Sequence, residues 1–376
     1  MNVQQISLQQ DNWQEDISIL SIEADIFLLF VSPDFTPKRK VLDFINNKYP
    51  KTTIIGCSTA GEISDITVKD ETISLTAIQL DKVTYKKAAI EIIDMNCSYQ
   101  SGQDLAKNLY NKELKHVLVL SDGLNVNGAE LVSGLKSIIP HVGISGGLAA
   151  DGADFNKTFV VNDNEIVDKT IVALGFYGEG LKVCTGSRGG WDSYGIGRQV
   201  TKSNKNVLYE LDGNPALDIY KSFLGEEAKN LPSSGLLFPL SMVSDANSKP
   251  LVRSILATNE DEKSVTFAGN LPEGAYVRFM KANLDRLIDG AEESAISASK
   301  FFDKESSELV ILVSCVGRRM VLKQLVEEEV EAVRDVVGNK PCITGFYSYG
   351  EIGPYDESSP CELHNQTMSI TTFSEC

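Results

Sequence analysis

Most of the side chains able to do chemistry in this 376-residue chain sit in three short segments of one kind. Cys57 and Ser58 lie in IIGCSTAGEI (residues 54–63), and Ser145 and Gly146 in VGISGGLAADG (142–152). Tyr347, Tyr349 and Glu351 lie in ITGFYSYGEIGP (343–354). Glycines bracket each segment (Gly56/Gly61, Gly143/Gly147 and Gly345/Gly350), which aligns Ser145 with Ser58 and Tyr347 and lets backbone approach a ligand closely or turn tightly between sheet layers. No phosphate-loop Lys-Ser/Thr and no dinucleotide-binding helix follows, so nucleotide binding is not indicated. Residues 143–147 also spell G-x-S-x-G, and with His364 downstream they stand in the order of a serine-hydrolase triad. A nucleophile elbow needs a helix directly after the serine, whereas LAADGADFNK is broken by Gly and Asp. Arg318, in SCVGRR (314–319), offers a planar fork either for a ligand's carboxylate or phosphate or for a structural ion pair with Glu351 or Glu62. Arg319 beside it is expected in solvent. Trp191, in the Gly-rich SRGGWDSYGIG, could close over a ligand or plug two domains together. Of the three histidines, His116 and His141 are expected at strand or turn edges. His364 is placed to hydrogen-bond a loop or to ligate a metal.

These residues must be positioned by a unit that recurs three times. Each copy is an apolar strand, a helix-like stretch and a second strand running into one of the three loops: residues 25–63, 116–152 and 309–354. Residues 73–80 and 83–93 read as strands that pair with each other. Residues 158–161, 170–177 and 181–186 read as hairpin strands of one antiparallel layer. Between the second and third copies, polar residues 198–206 read as a hinge, 215–223 and 284–300 as helices, and 233–241 and 265–269 as strands. A helix is expected over 321–338, with Glu327–Glu329 on its solvated face. The expected fold class is therefore α/β, with mixed β-sheets covered by helices and repeated βαβ units.

Net charge of −17 argues against nucleic acid or an anionic membrane as partner. No apolar run approaches the ~20 residues of a membrane span, and the start of the chain lacks a secretory pattern, so a cytoplasmic protein without membrane insertion is expected. The seven cysteines form no CxxC, and several, Cys57 and Cys315 included, read as buried thiols.

Seven segments in order resemble the FIST family, the two-part sensory domain of bacterial signalling proteins and of some F-box proteins. They are GCSTAGEI (56–63), VGISGGLAADG (142–152), NVLYELDGNPALDIYKSFLG (206–225), LPEGAYVRFM (271–280), SCVGRR (314–319), GFYSYGEIGP (345–354) and LHNQT (363–367). The resemblance implies a FIST N-like part, residues 1–197, a FIST C-like part, 198–376, and a non-enzymatic sensory role. Family members have been proposed to bind small molecules such as amino acids, and one branch resembles haem-containing nitric oxide sensors. The expectation is a standalone sensor whose small-molecule ligand meets Cys57, Ser58, Ser145, Gly146, Trp191, Arg318, Tyr347, Tyr349 and Glu351. If that ligand is non-covalent haem b, His364 is its metal ligand. Carrying no output domain of its own, the chain would signal in trans to a partner such as a histidine kinase or cyclase. Two other classes compete: a serine hydrolase using Ser145 and His364, and a protein-interaction module that binds no ligand.

Overall fold

The structure, a computed structural model, describes residues 1–243, 250–302, 306–356 and 358–376. The first copy comprises β1 (Asn2–Leu8), α1 (Trp13–Ser18), β2 (Ile26–Val31), α2 (Lys38–Lys48) and β3 (Thr53–Ser58). It ends with the hairpin β4 (Glu62–Ser64) and β5 (Thr67–Lys69), then β6 (Ile73–Gln79). The second runs through β7 (Thr84–Glu91), α3 (Ser98–Leu109), β8 (Leu114–Ser121), α4 (Gly128–Ile138) and β9 (Gly143–Leu148). Its hairpin is β10 (Val160–Asn162) and β11 (Glu165–Val167), and its last strand β12 (Thr170–Tyr177). The third opens with β13 (Leu181–Arg188) and is interrupted by an inserted module. That module holds β14 (Trp191–Asn204), β15 (Val207–Leu211), β16 (Asn214–Pro215), α5 (Ala216–Leu224), β17 (Leu240–Val243), β18 (Leu251–Arg253), β19 (Ile255–Asn259), β20 (Ser264–Phe267) and β21 (Tyr276–Ala282). The copy resumes with α6 (Leu284–Ala298), β22 (Leu309–Cys315), α7 (Val316–Leu322), α8 (Val326–Val337) and β23 (Cys342–Ser348). It closes with the hairpin β24 (Gly350–Pro354) and β25 (Cys361–His364), then β26 (Met368–Glu375).

Each copy builds a six-stranded sheet around its own parallel pair: β1-β6-β2-β3-β10-β11, β7-β12-β8-β9-β24-β25 and β13-β26-β22-β23-β4-β5. In every sheet the last two strands are a hairpin donated by another copy. The first copy's hairpin completes the third sheet, the second copy's completes the first, and the third copy's completes the second. The parallel strands read as near-continuous apolar runs because both faces are covered. Ile26, Leu28 and Phe30 meet Leu118, Leu120, Leu309, Ile311 and Val313 in one core shared by the three sheets. On the outer face Phe27, Leu29 and Val31 pack with Ile17, Val41, Leu42 and Ile45 of the covering helices.

The repeated α/β units with helix-covered mixed sheets match the expectation, but the strand partners do not. Residues 73–80 and 83–93 belong to different sheets, and so do β10, β12 and β13. The polar 198–206 stretch is no hinge but the second half of the 14-residue strand β14, held by β15 and β21. Residues 233–241 form a 3-10 turn, Ser233–Leu237, before β17. The helix expected over 321–338 is broken at Lys323, which has a φ of 52°. Its Glu329 is fully buried rather than solvated. Position 197 falls inside β14, and the three-sheet body draws strands from both sides of it.

Register also corrects the correspondence of the loops. Leu29, Val119 and Leu312 lie opposite Gly56, Gly146 and Gly345. A Cβ at those glycines would meet the facing carbonyl oxygen at 2.1, 1.8 and 2.0 Å, so close strand packing demands them. Gly146, not Gly143, is thus the counterpart of Gly56 and Gly345. Ser145 corresponds to Ile55 and Thr344, not to Ser58 and Tyr347. At the strand ends the three copies tie into a ring: Ala60 N–H donates to Tyr347 O (2.8 Å), Ala150 N–H to Ser58 O (2.9 Å) and Tyr349 N–H to Leu148 O (3.2 Å).

Candidate functional site

Where the inserted module meets the body, a cavity of about 370 Å³ opens. Its walls come from the Gly189-Gly190 turn, Trp191 at the start of β14, Ser241 of β17, Pro250 just before β18, Val252 of β18, and Met280 of β21. The body adds Tyr355, His364 and Thr367. The turn needs glycine at position 190 because α6 presses on it: a Cβ there would lie 2.3 Å from Arg286 O. Interfaces between two packed bodies are favoured places for small-molecule sites.

Two residues expected at a site, Trp191 and His364, are brought together here. Trp191 is 8% exposed, and its indole Nε1–H is buried without a hydrogen-bond partner among the described residues. An unmet buried donor costs about 1–3 kcal/mol, so the indole is primed for an acceptor. His364 is 3% exposed, and its Nε2 lies 2.9 Å from Gly353 O. Burial pushes its imidazole down to about 4, so it is neutral, and with Nε2–H donating to the carbonyl, Nδ1 carries the free lone pair. Around it the LHNQT segment clamps module to body. Arg253 Nη1 donates to Leu363 O (3.1 Å), Ser254 N–H to Asn365 Oδ1 (3.4 Å), and Gln366 Nε2 to Leu236 O (2.8 Å) and to Ser254 Oγ (2.9 Å).

Glu351 reaches this cavity only through Thr367, whose N–H (3.1 Å) and hydroxyl (2.9 Å) donate to its carboxylate, as does Ser348 (2.9 Å). Burial nevertheless pushes Glu351 up to about 8. Glu62, its counterpart in the first copy, accepts from Thr59 and Thr72 in the same pattern and is pushed up to about 7. Arg318, expected to hold a ligand's carboxylate, is fully buried and committed instead to Glu329 (2.7 and 2.9 Å), Leu287 O (2.6 Å) and Gly189 O (3.3 Å). Its function is to brace the turn that forms the cavity wall. Tyr347 donates to the same Glu329 (2.6 Å), and Tyr349 donates to Asp151 while stacking on Phe155. Cys57 and Ser58 are wholly buried in the body.

The expected cleft between strand-end loops exists as a separate polar cavity of about 280 Å³, lined by residues 32–34, 59–61 and 151–154 with Asp70, Asn156, Lys157 and Arg319. Of the anticipated ligand residues, none lines it. Arg319, expected in solvent, pairs there with Asp70 (2.6 Å) and donates to Ala60 O. The strand ends close on one another in the hydrogen-bonded ring instead of opening around a guest.

Ser145 and His364 do not form a hydrolytic pair. Ser145 lies within β9 rather than before a helix, and its Oγ is 2.7 Å from His116 Nε2. Both are buried, at 1% and 2% exposure, so His116 is no edge residue. Burial pushes its imidazole down to about 3, far below a working general base.

For haem b the donor set is half present. His364 supplies one neutral nitrogen, but among the described residues no Arg or Lys lines the cavity to pair with propionates. The volume lies near the floor of the ~300–1,000 Å³ range of small-molecule sites. The residues fit a guest smaller than a porphyrin. The sequence missed Met280, Tyr355 and Thr367, although Met280 and Thr367 sit in the 271–280 and 363–367 segments already singled out.

Residues 25–214 match the FIST N domain and residues 216–354 the FIST C domain. The uncharacterized protein MJ1623 of Methanocaldococcus jannaschii is 25% identical over 355 residues, covering 83% of this chain; the chain spans 66% of that protein's length. A crystal structure of cyanuric acid hydrolase from A. caulinodans is similar at a TM-score of 0.37 and 8% identity, over 100% of this chain and 99% of its own, a likeness too low to carry an argument.

Proposed function

Because this chain belongs to the FIST family, whose domains sense small ligands in signalling, we propose that it senses a small, uncharged, partly planar molecule in the cavity beside Trp191 and His364. The observation that carries this reading is the buried Trp191 Nε1–H without a partner among the described residues, in a side chain that lines the same cavity as the neutral imidazole of His364. One donor and one acceptor set in a wall of Val252, Met280 and Pro250 favour a guest with complementary polar edges and an apolar face. An amino-acid zwitterion is less well served, since Arg318 and both tyrosines are engaged elsewhere. Binding would tighten the module on the body, and a partner acting in trans, such as a histidine kinase or cyclase, would read that shift in population.

The chain has two tryptophans, so a Trp13→Phe background makes Trp191 the sole indole reporter. A saturable fluorescence change with an uncharged heterocycle such as adenine or indazole, lost in His364→Ala, is the expected result. A Soret band on adding haem that vanishes in the same variant would point to haem b with nitric oxide as signal. No response to heterocycles, amino acids or haem would leave a module that works through protein contacts alone.

A further inference from the structure

A second cavity, of about 410 Å³, lies at the N-terminal ends of β8 and β9, away from the module interface. Its titratable walls carry imidazole, ammonium or thiol groups: Lys115, His116, Lys136, His141, Cys184 and Cys361, with no Asp or Glu lining it among the described residues. In a chain of net charge −17 that bias is unexpected. Lys115 is engaged with Glu179 (2.6 Å), whereas neither Lys136 nor His141 forms an ion pair among the described residues. Phe301 (55% exposed), Ile144 and Val183 supply an apolar side.

The three copies provide an internal control. Register places His116 where the other copies have Ile26 and Leu309, and Ser145 where they have Ile55 and Thr344. Ile26 and Leu309 are buried in the shared core, so the fold is built at this position without an imidazole. Gly143 likewise stands where the other copies have Thr53 and Cys342. A Cβ on Gly143 would lie 2.6 Å from His116 Nδ1, so the missing side chain is what uncovers that nitrogen toward the cavity. Nε2 is already held by Ser145, and Nδ1 forms no hydrogen bond among the described residues. A histidine and a glycine thus stand together, beside a cavity, where the other copies have an aliphatic and a larger residue.

We infer that this cavity binds a small organic carboxylate with an apolar body, its head group met by His116 Nδ1–H and Lys136 and its tail lying along Phe301 and Val183. Ser145 is the positioning residue: by donating its hydroxyl proton to Nε2 it fixes the tautomer that presents Nδ1–H. The site is independent of the Trp191 cavity and stands or falls separately.

The probes are hexanoate and its uncharged analogue hexanamide, added to the full-length protein labelled with ¹⁵N-histidine. Only three imidazoles are present, so each can be followed. Hexanoate is expected to move the His116 signals and leave those of His364 in place, while hexanamide moves neither. By calorimetry, hexanoate binding is expected to be lost in Gly143→Thr and His116→Ile and weakened about fivefold in Lys136→Ala, the size of a single exposed charge pair. His116→Ile should melt no lower than the parent, as the other copies imply; should it fail to fold, Gly143→Thr and Lys136→Ala still decide. Unmoved His116 signals at saturating hexanoate, an equal response to hexanamide, or undiminished binding in Gly143→Thr would each overturn the inference.

Discussion

At Glu351 two effects oppose each other: three hydrogen bonds favour the carboxylate, and complete burial disfavours it more. Its folded pKa, about 8, stands above the ordinary value of 4.5, so the folded state holds its proton more tightly. The stability from this group is therefore full below the unfolded value and is lost as pH rises through about 8; Glu62 adds a similar loss toward about 7. The melting temperature is expected to fall between pH 5 and pH 8, and Glu351→Gln should flatten that fall, gaining about 2 °C or more at pH 8 by scanning calorimetry. A steeper fall in the variant would show that the carboxylate is held ionised. Removing one partner of the buried Arg318–Glu329 pair is a different matter. Arg318→Met should cost about 3–5 kcal/mol in urea unfolding, while Arg318→Met combined with Glu329→Leu should recover most of it. Trp191→Phe should leave the unliganded protein no less stable, because it deletes an unmet donor, yet abolish binding of the heterocycle that the parent takes. The scarcity of Trp and His made Trp191 and His364 legible in the sequence. Arg318 was misread because its partner, Glu329, lies beyond a helix break that periodicity does not register.

Elements were legible where apolar runs are long, as in β2, β8 and β22, because burial on both faces leaves a strong pattern. Partners were not, since alternation reports which face a strand buries and never which strand lies beside it. The hairpins β4–β5, β10–β11 and β24–β25 have three-residue strands or little more and leave for another copy's sheet. The loop correspondence slipped by three residues because 142–152 contains Gly143, Gly146 and Gly147, and only the facing carbonyls identify Gly146 as the constrained one. The three amides of the strand-end ring, on Ala60, Ala150 and Tyr349, join all three copies. They are expected to exchange hydrogen together and at the rate of global unfolding. Faster exchange at one of them would show that its copy opens by itself.

The whole molecule is a body of three interlocked sheets with one inserted module, whose core of Val200, Leu208, Tyr220, Phe267 and Phe279 is its own. Among the described residues no helix is long and apolar enough to cross a membrane. Ligand-linked motion is expected at the module's seam, where the LHNQT segment forms the clamp, and not between the sheets. A fragment ending at residue 180 would lack β24–β25 for its second sheet and the third sheet for its own β4–β5, so it is expected to show no cooperative thermal transition by near-UV circular dichroism. The same exchange of hairpins has a meaning in time. β4 is made at residues 62–64, yet its partner β23 arrives at residues 342–348. At ~5–20 residues per second on the ribosome, the first hairpin waits roughly 15–60 s with its edge bare. During synthesis that interval, rather than anything in the finished fold, is when the chain is most open to chaperones, proteases and a neighbouring nascent copy offering the same strand.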